Sequence, residues 1–189
     1  MLAGTAAKYK NAHSAQSSEP AGQSDATLPQ SRCSPMVSRV TSRGMATVFT
    51  KIINGELPGR FVYRDAEVAA FLTIEPVAYG HVLVVPVQEI DRWTDMPAEL
   101  WGKLNEVAQV IGKAICEAFD APRCGYMIAG FEVPHTHIHL FPASDMSGYS
   151  LQNIIPMDQT DPAKMDDAAA KIRAGLRSQG VAGVPEDEA

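Results

Sequence analysis

Three histidines at alternate positions constrain the fold of this chain more than any other feature of its sequence. They are His135, His137 and His139, and the residues that follow them are threonine, isoleucine and leucine. Because successive side chains of a strand point to opposite faces, this spacing predicts a strand with the three imidazoles on one face. Each imidazole has two polar nitrogens that need partners when the ring is buried, so three on one face are costly without a function. The alternative is a surface strand that is merely rich in histidine.

The chain divides into two parts of opposite charge. Residues 1–44 contain five basic and two acidic residues, whereas residues 45–189 contain eleven basic and twenty acidic residues and have a net charge of −9. The first part is rich in Ser, Ala and Gln and lacks apolar periodicity, so we predict a disordered N-terminal extension. Met45 is then the expected working start of the protein, and an organelle transit peptide is the alternative for the extension.

The acidic second part excludes some classes of protein. A sequence-independent nucleic-acid binder needs clustered Lys and Arg to displace counterions from phosphates, so we expect no nucleic-acid partner. No run of 18 apolar residues occurs in the sequence, so we expect no membrane partner. Cys33, Cys116 and Cys124 form no C-x-x-C pair, and their odd number favours the reducing cytoplasm over a disulfide framework.

Apolar periodicity predicts that residues 45–189 form an α+β fold with an antiparallel sheet. One long helix, from about Asp95 to Phe119, carries apolar residues at steps of three and four. Two other helices are predicted, one from Val48 to Ile53 and one over about residues 161–179. Strands are predicted at Phe61–Arg64, Val68–Leu72, His81–Pro86, Tyr126–Ala129 and Thr136–Phe141.

Two kinds of chemistry use several imidazoles together. A metal site is one, because imidazole is a common zinc ligand, although the sequence shows no second cluster of Cys, His or carboxylate residues at ligand spacing. Phosphoryl-type chemistry is the other, in which a neutral imidazole attacks phosphorus while its neighbours stabilise the negative oxygens. The histidine spacing by itself leaves both open.

Three motifs resemble those of one known family. The segment His135–Phe141 alternates histidine with other residues, Gly80–Pro86 places a histidine ahead of an apolar strand, and Lys51–Pro58 has the pattern of an opening helix and loop. In order and spacing they resemble the histidine-triad (HIT) family of nucleotide hydrolases and transferases. The resemblance predicts a histidine-triad domain at residues 45–145 and leaves residues 146–189 as a C-terminal segment.

The resemblance implies a fold, an assembly and a reaction. Members are usually homodimers, and each subunit has a five-stranded antiparallel sheet with the long helix packed on it. They cleave a bond at the α-phosphorus of a nucleotide conjugate, here an acid anhydride or a P–N bond, and no cofactor is implied. By this resemblance His137 is the nucleophile that forms a covalent nucleotidyl-histidine. His135 and His139 then contact phosphate, and His81 orients the triad by hydrogen bonding.

The resemblance also implies a substrate pocket. Thr73 stands where relatives carry Asp or Asn for the ribose hydroxyls, and Glu132 precedes the triad where many carry Ser. Four apolar residues match positions that wall the nucleobase pocket in relatives, and without the resemblance they would be ordinary core residues: Phe49, Ile52, Phe71 and Ile74.

The sequence departs from the family pattern at several positions, and these departures limit the properties that the resemblance predicts. Zinc-carrying relatives have C-x-x-C where this chain has Thr47–Thr50, and a histidine where it has Glu89, so we expect no structural metal. Because Glu132 replaces the serine that helps to protonate an amine leaving group, phosphoramidase activity of that type is not carried over. A role of Glu132 as general acid stays open. The competing function is a nucleotide-binding or metal-binding module without turnover.

Overall fold

A five-stranded antiparallel sheet organises the computed structural model, which describes residues 46–150 and 152–186. Its strands are β1 (Phe61–Arg64), β2 (Val68–Leu72), β3 (Val82–Pro86), β4 (Arg123–Met127) and β5 (Ile138–Ala143). They follow the order β1-β2-β3-β5-β4 across the sheet. This arrangement confirms the α+β fold and the antiparallel sheet. The predicted N-terminal extension of residues 1–44 and the proposed start at Met45 lie outside the described residues.

Three α-helices accompany the sheet in the described ranges: α1 (Val48–Ile53), α2 (Ala98–Ala118) and α3 (Pro162–Ser178). The side chain of Thr47 caps α1 by accepting a hydrogen bond from the backbone N–H of Thr50, and Gly55 follows the helix with φ +77°. None of the helices in these ranges is long and apolar enough to cross a lipid bilayer.

One face of the sheet packs against α2 and α3. The apolar stripe of α2 contributes Leu104, Ile111 and Ile115 to this core, and all three are buried. Helix α3 packs on α2 through Gly175, where an added Cβ would lie 3.2 Å from Cβ of Ala114. The C-terminal helix is therefore part of the main core, to which it contributes the buried residues Met165, Ala168, Ala169, Ile172 and Leu176.

The opposite face of the sheet carries a smaller apolar cluster beneath α1. Phe49 and Ile53 of α1 pack there on Phe71 of β2 and Leu83 of β3. His139 of β5 lies directly opposite Leu83 in the sheet register. Directly opposed residues of antiparallel strands share a face, so this register places His139 on the face covered by α1.

Strands β4 and β5 differ most from the sequence prediction. Strand β5 begins at Ile138, because the backbone N–H of Thr136 donates to the Ile90 carbonyl at 2.6 Å and leaves the ladder. His135 and His137 therefore precede the strand, and the prediction that one strand carries all three histidines is wrong. Strand β4 is Arg123–Met127, earlier than predicted, and its Gly125 leaves room for the Phe141 ring, which an added Cβ would approach to 2.3 Å.

Candidate functional site

Four histidines gather on the sheet face that α1 covers. The ring centroids of His137 and His139 are 4.8 Å apart, and those of His81 and His139 are 5.2 Å apart. Phe49 joins the group from α1, with its ring centroid 4.9 Å from that of His137 and 5.9 Å from that of His135. The structure thus brings together all four histidines that the sequence singled out, from the start of β3, from β5 and from the segment that precedes β5.

His135 is held on both sides of its ring. Its Nε2 lies 2.8 Å from the carbonyl oxygen of Pro86, and its Nδ1 lies 2.9 Å from the hydroxyl of Thr47. Because a carbonyl can only accept, Nε2 carries the hydrogen of the neutral ring and Nδ1 accepts from Thr47. Burial lowers the pKa of His135, which favours this neutral form. Since both nitrogens are engaged within the protein, this geometry does not support the predicted phosphate contact by His135.

A hydrogen-bonded cluster of Thr47, Thr50 and Glu89 supports His135. One carboxylate oxygen of Glu89 accepts from the hydroxyl of Thr50 at 2.6 Å and from the backbone N–H of Thr47 at 3.1 Å. These hydrogen bonds lower the pKa of Glu89 and so favour its charged form. Sequence reasoning treated these three residues only as replacements for metal ligands and missed their contact with His135. The signal available in the sequence was that hydroxyl and carboxylate side chains stand at positions where zinc-carrying relatives have metal ligands.

His137 presents one nitrogen with a free lone pair. Its Nδ1 lies 2.8 Å from the carbonyl oxygen of His135, so Nδ1 donates and the Nε2 of the neutral ring is unprotonated. Burial lowers the pKa of His137 below its usual range, although the His135 carbonyl and the charge of Glu132 act in the opposite direction. An unprotonated Nε2 at neutral pH is what a nucleophilic imidazole requires.

His81 and His139 form a relay of hydrogen bonds with a defined direction. The backbone N–H of Val77 donates to Nδ1 of His81 at 3.2 Å, so the hydrogen of the neutral His81 ring is on Nε2. That nitrogen lies 3.0 Å from Nδ1 of His139, which therefore accepts. The hydrogen of His139 is then on Nε2, which is buried and has no hydrogen-bond partner among the described residues. The relay ends in an N–H donor beside His137.

Burial keeps the rings of this relay neutral. It lowers the pKa of His81 to about 3, with a further contribution from His139 and His137. It lowers the pKa of His139 to about 4, with a further contribution from His137. A ring that stays neutral at physiological pH has one donor and one acceptor nitrogen, so the hydrogen bonds determine the tautomer of each ring.

A cavity of about 490 Å³ lies beside α1 and is connected to the histidines through Phe49, which lines it and packs against His137. The structure places five predicted substrate-binding residues around it: Phe49, Ile52, Phe71, Thr73 and Ile74. Ile74 lies at the open rim, with 58% of its surface exposed. Glu132 does not line the cavity, but its charge acts on His137 from the exposed loop that precedes the triad. In the described part of the chain no group of three or more His, Cys, Asp or Glu residues is arranged to hold a metal ion.

Comparison with known proteins identifies clear relatives. The model of the HIT domain matches residues 54–146. An uncharacterised HIT-like protein from Methanocaldococcus jannaschii is 32% identical over 67% of this chain and 98% of its own length. The purine nucleoside phosphoramidase of Escherichia coli strain K12 is 37% identical over 50% of this chain and 84% of its own length. Among solved structures, a Hit-like protein from Bartonella henselae is 31% identical and matches with a TM-score of 0.59, covering 69% of this chain and 96% of its own.

Proposed function

The chain belongs to the HIT family, and on that premise we propose that it hydrolyses nucleotide conjugates by attack of His137 on the α-phosphorus. The substrate class is a nucleoside monophosphate joined to a leaving group through an acid anhydride or a P–N bond. A relative that is 37% identical is named as a purine nucleoside phosphoramidase, which supports this class of reaction.

The observation that carries the proposal is the pair of nitrogens presented by His137 and His139. Hydrogen bonding to the His135 carbonyl directs the free lone pair of His137 to Nε2, and the relay from Val77 directs the hydrogen of His139 to its Nε2. A nucleophile and an N–H donor therefore stand side by side on rings 4.8 Å apart. A phosphate group needs both at once, because negative charge gathers on its oxygens as the attack proceeds.

The reaction proceeds in two displacements. In the first, Nε2 of His137 forms a bond to the α-phosphorus and the bond to the leaving group breaks, with the electron pair departing on that group. In the second, water forms the new P–O bond and loses a proton to solvent, while the bond between phosphorus and Nε2 breaks and returns its electron pair to Nε2. The nucleoside monophosphate is released, and His137 is again neutral. Between the two steps the ring carries a positive charge, since Nδ1 keeps its hydrogen bonded to the His135 carbonyl. Burial lowers the pKa of His137, and the charge of Glu132 opposes that lowering, so Glu132 stabilises the cationic ring.

The cavity of about 490 Å³ accepts the nucleoside part of the substrate. The rings of Phe49 and Phe71, with centroids 5.8 Å apart, form its apolar floor beside His137. An apolar cleft of this volume with a few polar groups suits a small organic ligand such as a nucleobase. His135 acts here as a positioning residue, because its carbonyl directs the tautomer of His137 while Thr47 and Pro86 hold its ring.

Assembly as a homodimer in the cytoplasm is also part of the proposal. Strand β4 is an edge strand of the sheet, whereas the Arg64 N–H on the other edge strand donates to the Gly183 carbonyl at 2.7 Å. A second cavity, of about 780 Å³, lies between α2 and β4 and is suited to a second copy of the chain. Cys116 and Cys124 are free thiols, as expected in a reducing compartment. Sedimentation equilibrium tests the dimer, and a monomer mass at micromolar concentration would contradict it.

Trapping the covalent intermediate tests the proposed reaction. Full-length protein is mixed with adenosine conjugates labelled in the monophosphate part: a phosphoramidate, a dinucleoside polyphosphate, an adenylyl sulfate and a nucleotidyl sugar. We expect acid-quenched wild-type protein to retain label from at least one of them, and His137→Ala to retain none. We also expect His137→Ala to lose turnover by a factor on the order of 10⁴ while it still binds AMP.

Two outcomes would contradict the proposed reaction. Full turnover by His137→Ala would exclude His137 as nucleophile. AMP binding by the wild type without turnover of any conjugate would favour the competing function, a nucleotide-binding module without catalysis. The conjugate that is cleaved fastest identifies the leaving group.

A further inference from the structure

One lining residue of the cavity of about 490 Å³ comes from a part of the chain beyond the end of the HIT-domain match. That match ends at residue 146, but Asp166 of α3 lines the same cavity as Phe49 and Phe71. Asp166 is anchored there by Arg60, whose Nε lies 2.6 Å from its Oδ1. The C-terminal helix therefore contributes a carboxylate to the space that the proposed function assigns to the nucleoside.

Polar side chains are scarce around this cavity. Its lining is otherwise aliphatic, aromatic, proline or glycine, so the polar side chains it offers are those of Thr73, Arg60 and Asp166. The hydroxyl of Thr73 also accepts a long hydrogen bond of 3.4 Å from the backbone N–H of Glu75. A hydroxyl oxygen has two lone pairs, and one of those of Thr73 is occupied by this bond, so Thr73 cannot accept both hydrogens of a vicinal diol. The two oxygens of a carboxylate can accept both.

Helix α3 holds Asp166 on a rigid support. Its neighbours Met165 and Ala169 are buried in the main core. Further along the helix, Arg173 donates to the carbonyl oxygen of Phe61 at 3.1 Å, which ties the helix to β1. Asp166 itself is 67% exposed at its side chain, and the only hydrogen bond it makes within the described residues uses Oδ1. Its Oδ2 thus has accepting capacity for a ligand in the cavity.

We infer that Asp166 accepts hydrogen bonds from the ribose hydroxyls of the bound nucleotide, so that α3 sets a preference for ribonucleotides. This inference rests on the proposed function, because it places the nucleoside in the cavity of about 490 Å³. An exposed ion pair such as Arg60–Asp166 contributes little to stability, so the fold does not depend on this pair. A ligand diol engages the carboxylate without breaking the core contacts of α3.

Binding of AMP and of 2′,3′-dideoxy-AMP to the full chain tests this inference by calorimetry, without any need for turnover. We expect Asp166→Asn to weaken AMP binding by about 10-fold, the effect of losing one hydrogen bond to a charged group. We expect it to change the binding of the dideoxy analogue by less than about 2-fold, because that ligand has no hydroxyls for Asp166. Unchanged thermal unfolding shows that the variant keeps its fold.

Asp167→Asn is the matched control. Asp167 is the next residue of α3, has 60% of its side chain exposed and pairs with Lys171 at 2.7 Å, but it does not line the cavity. We expect this variant to bind both ligands as the wild type does.

Three outcomes overturn the inference, and they differ in what they say about the proposed function. If Asp166→Asn weakens the binding of both ligands equally, Asp166 affects binding without recognising the ribose hydroxyls. No loss of either ligand shows that Asp166 makes no contact. Both results leave the proposed function standing, whereas a wild-type protein that binds neither ligand overturns the inference and the proposed function together.

Discussion

The two ends of the histidine cluster differ in how they use the same side chain. At one end, His135 has both ring nitrogens bonded within the protein, to Thr47 and Pro86, and is fully buried. At the other end, His139 accepts from His81 and keeps an Nε2 that has no partner in the described part of the chain. The first end is closed and the second is open. Identical residues four positions apart in the sequence thus have different chemical capacities because their partners differ.

The difference between the two ends of the cluster comes from hydrogen bonding more than from charge. Burial lowers the pKa of both rings, so both are neutral near pH 7. What distinguishes them is which nitrogen carries the hydrogen and whether that hydrogen is already bonded. An unpartnered buried donor costs free energy unless a ligand satisfies it, so the open end favours a ligand with an acceptor atom, such as a phosphate oxygen of the proposed substrate.

Among substitutions at the two ends of the cluster, replacement of His139 at the open end has the largest expected effect on catalysis. We expect His139→Ala to lower kcat by about 10²- to 10³-fold, the effect of losing one hydrogen-bond donor to a developing negative charge. His139→Gln retains an N–H donor and is expected to recover part of this loss. Steady-state kinetics on the conjugate that the wild type cleaves measures both, and equal kcat for His139→Ala and the wild type would show that the open donor is not used.

Removing a support of the closed end is expected to affect stability first. Thr47→Val leaves Nδ1 of the buried His135 without a donor and removes the side-chain cap of α1. The expected loss is about 1–3 kcal/mol of unfolding free energy. Thr47→Ser keeps the hydroxyl and serves as the matched control, with a smaller loss. Chemical denaturation of the three proteins at pH 7 measures the difference, and a stability of Thr47→Val equal to that of the wild type would contradict the closed arrangement.

Acid is expected to reveal a third effect, a loss of stability that comes from the two rings of the open end. The histidines of the unfolded chain bind protons near pH 6.5, whereas burial lowers the folded-state pKa of His139 to about 4 and that of His81 to about 3. Below pH 6.5 the unfolded state therefore binds protons that the folded state does not, so stability falls as the pH falls towards 4. The contribution of these two histidines to the pH dependence vanishes above pH 6.5, where their rings are neutral in both the folded and the unfolded state.

The slope of stability against pH measures this effect. Each such imidazole contributes up to about 1.4 kcal/mol per pH unit within its window. We expect His139→Ala to have a shallower slope between pH 6.5 and 4 than the wild type. Denaturation curves at several pH values provide the test, and a slope that is the same in both proteins would show that His139 is not held neutral by the fold.

Much of the fold was predictable from local patterns. The apolar stripe of α2 repeats at steps of three and four, and Asn54–Gly55 marks the end of α1, so both helices were predicted close to their observed bounds. The edge strand β4 was placed too late in the chain, because its side chains are mostly half-buried or exposed and show little alternation. The start of β5 was placed too early, because the bond from Thr136 to Ile90 depends on a loop 46 residues away in sequence.

The candidate site was predictable in its residues but not in their partners. Alternation and the family resemblance identified the four histidines and the pocket residues, which the structure brings together. Neither indicated that Thr47 and Pro86 hold the ring of His135, because these residues lie 88 and 49 positions away. The presence of Asp166 in the same cavity as Phe49 was also not predictable, since it depends on how α3 packs in the fold.

The sequence by itself determined the classes of element, the family and the residues of the candidate site, because these depend on local periodicity and on motif spacing. The tertiary structure decided the direction of each hydrogen bond at the histidines and the addition of α3 to the wall of the cavity. An imidazole can donate or accept at either nitrogen when it is neutral, so its role follows from the fixed donors and acceptors around it. Those donors and acceptors meet only when distant segments pack into one core.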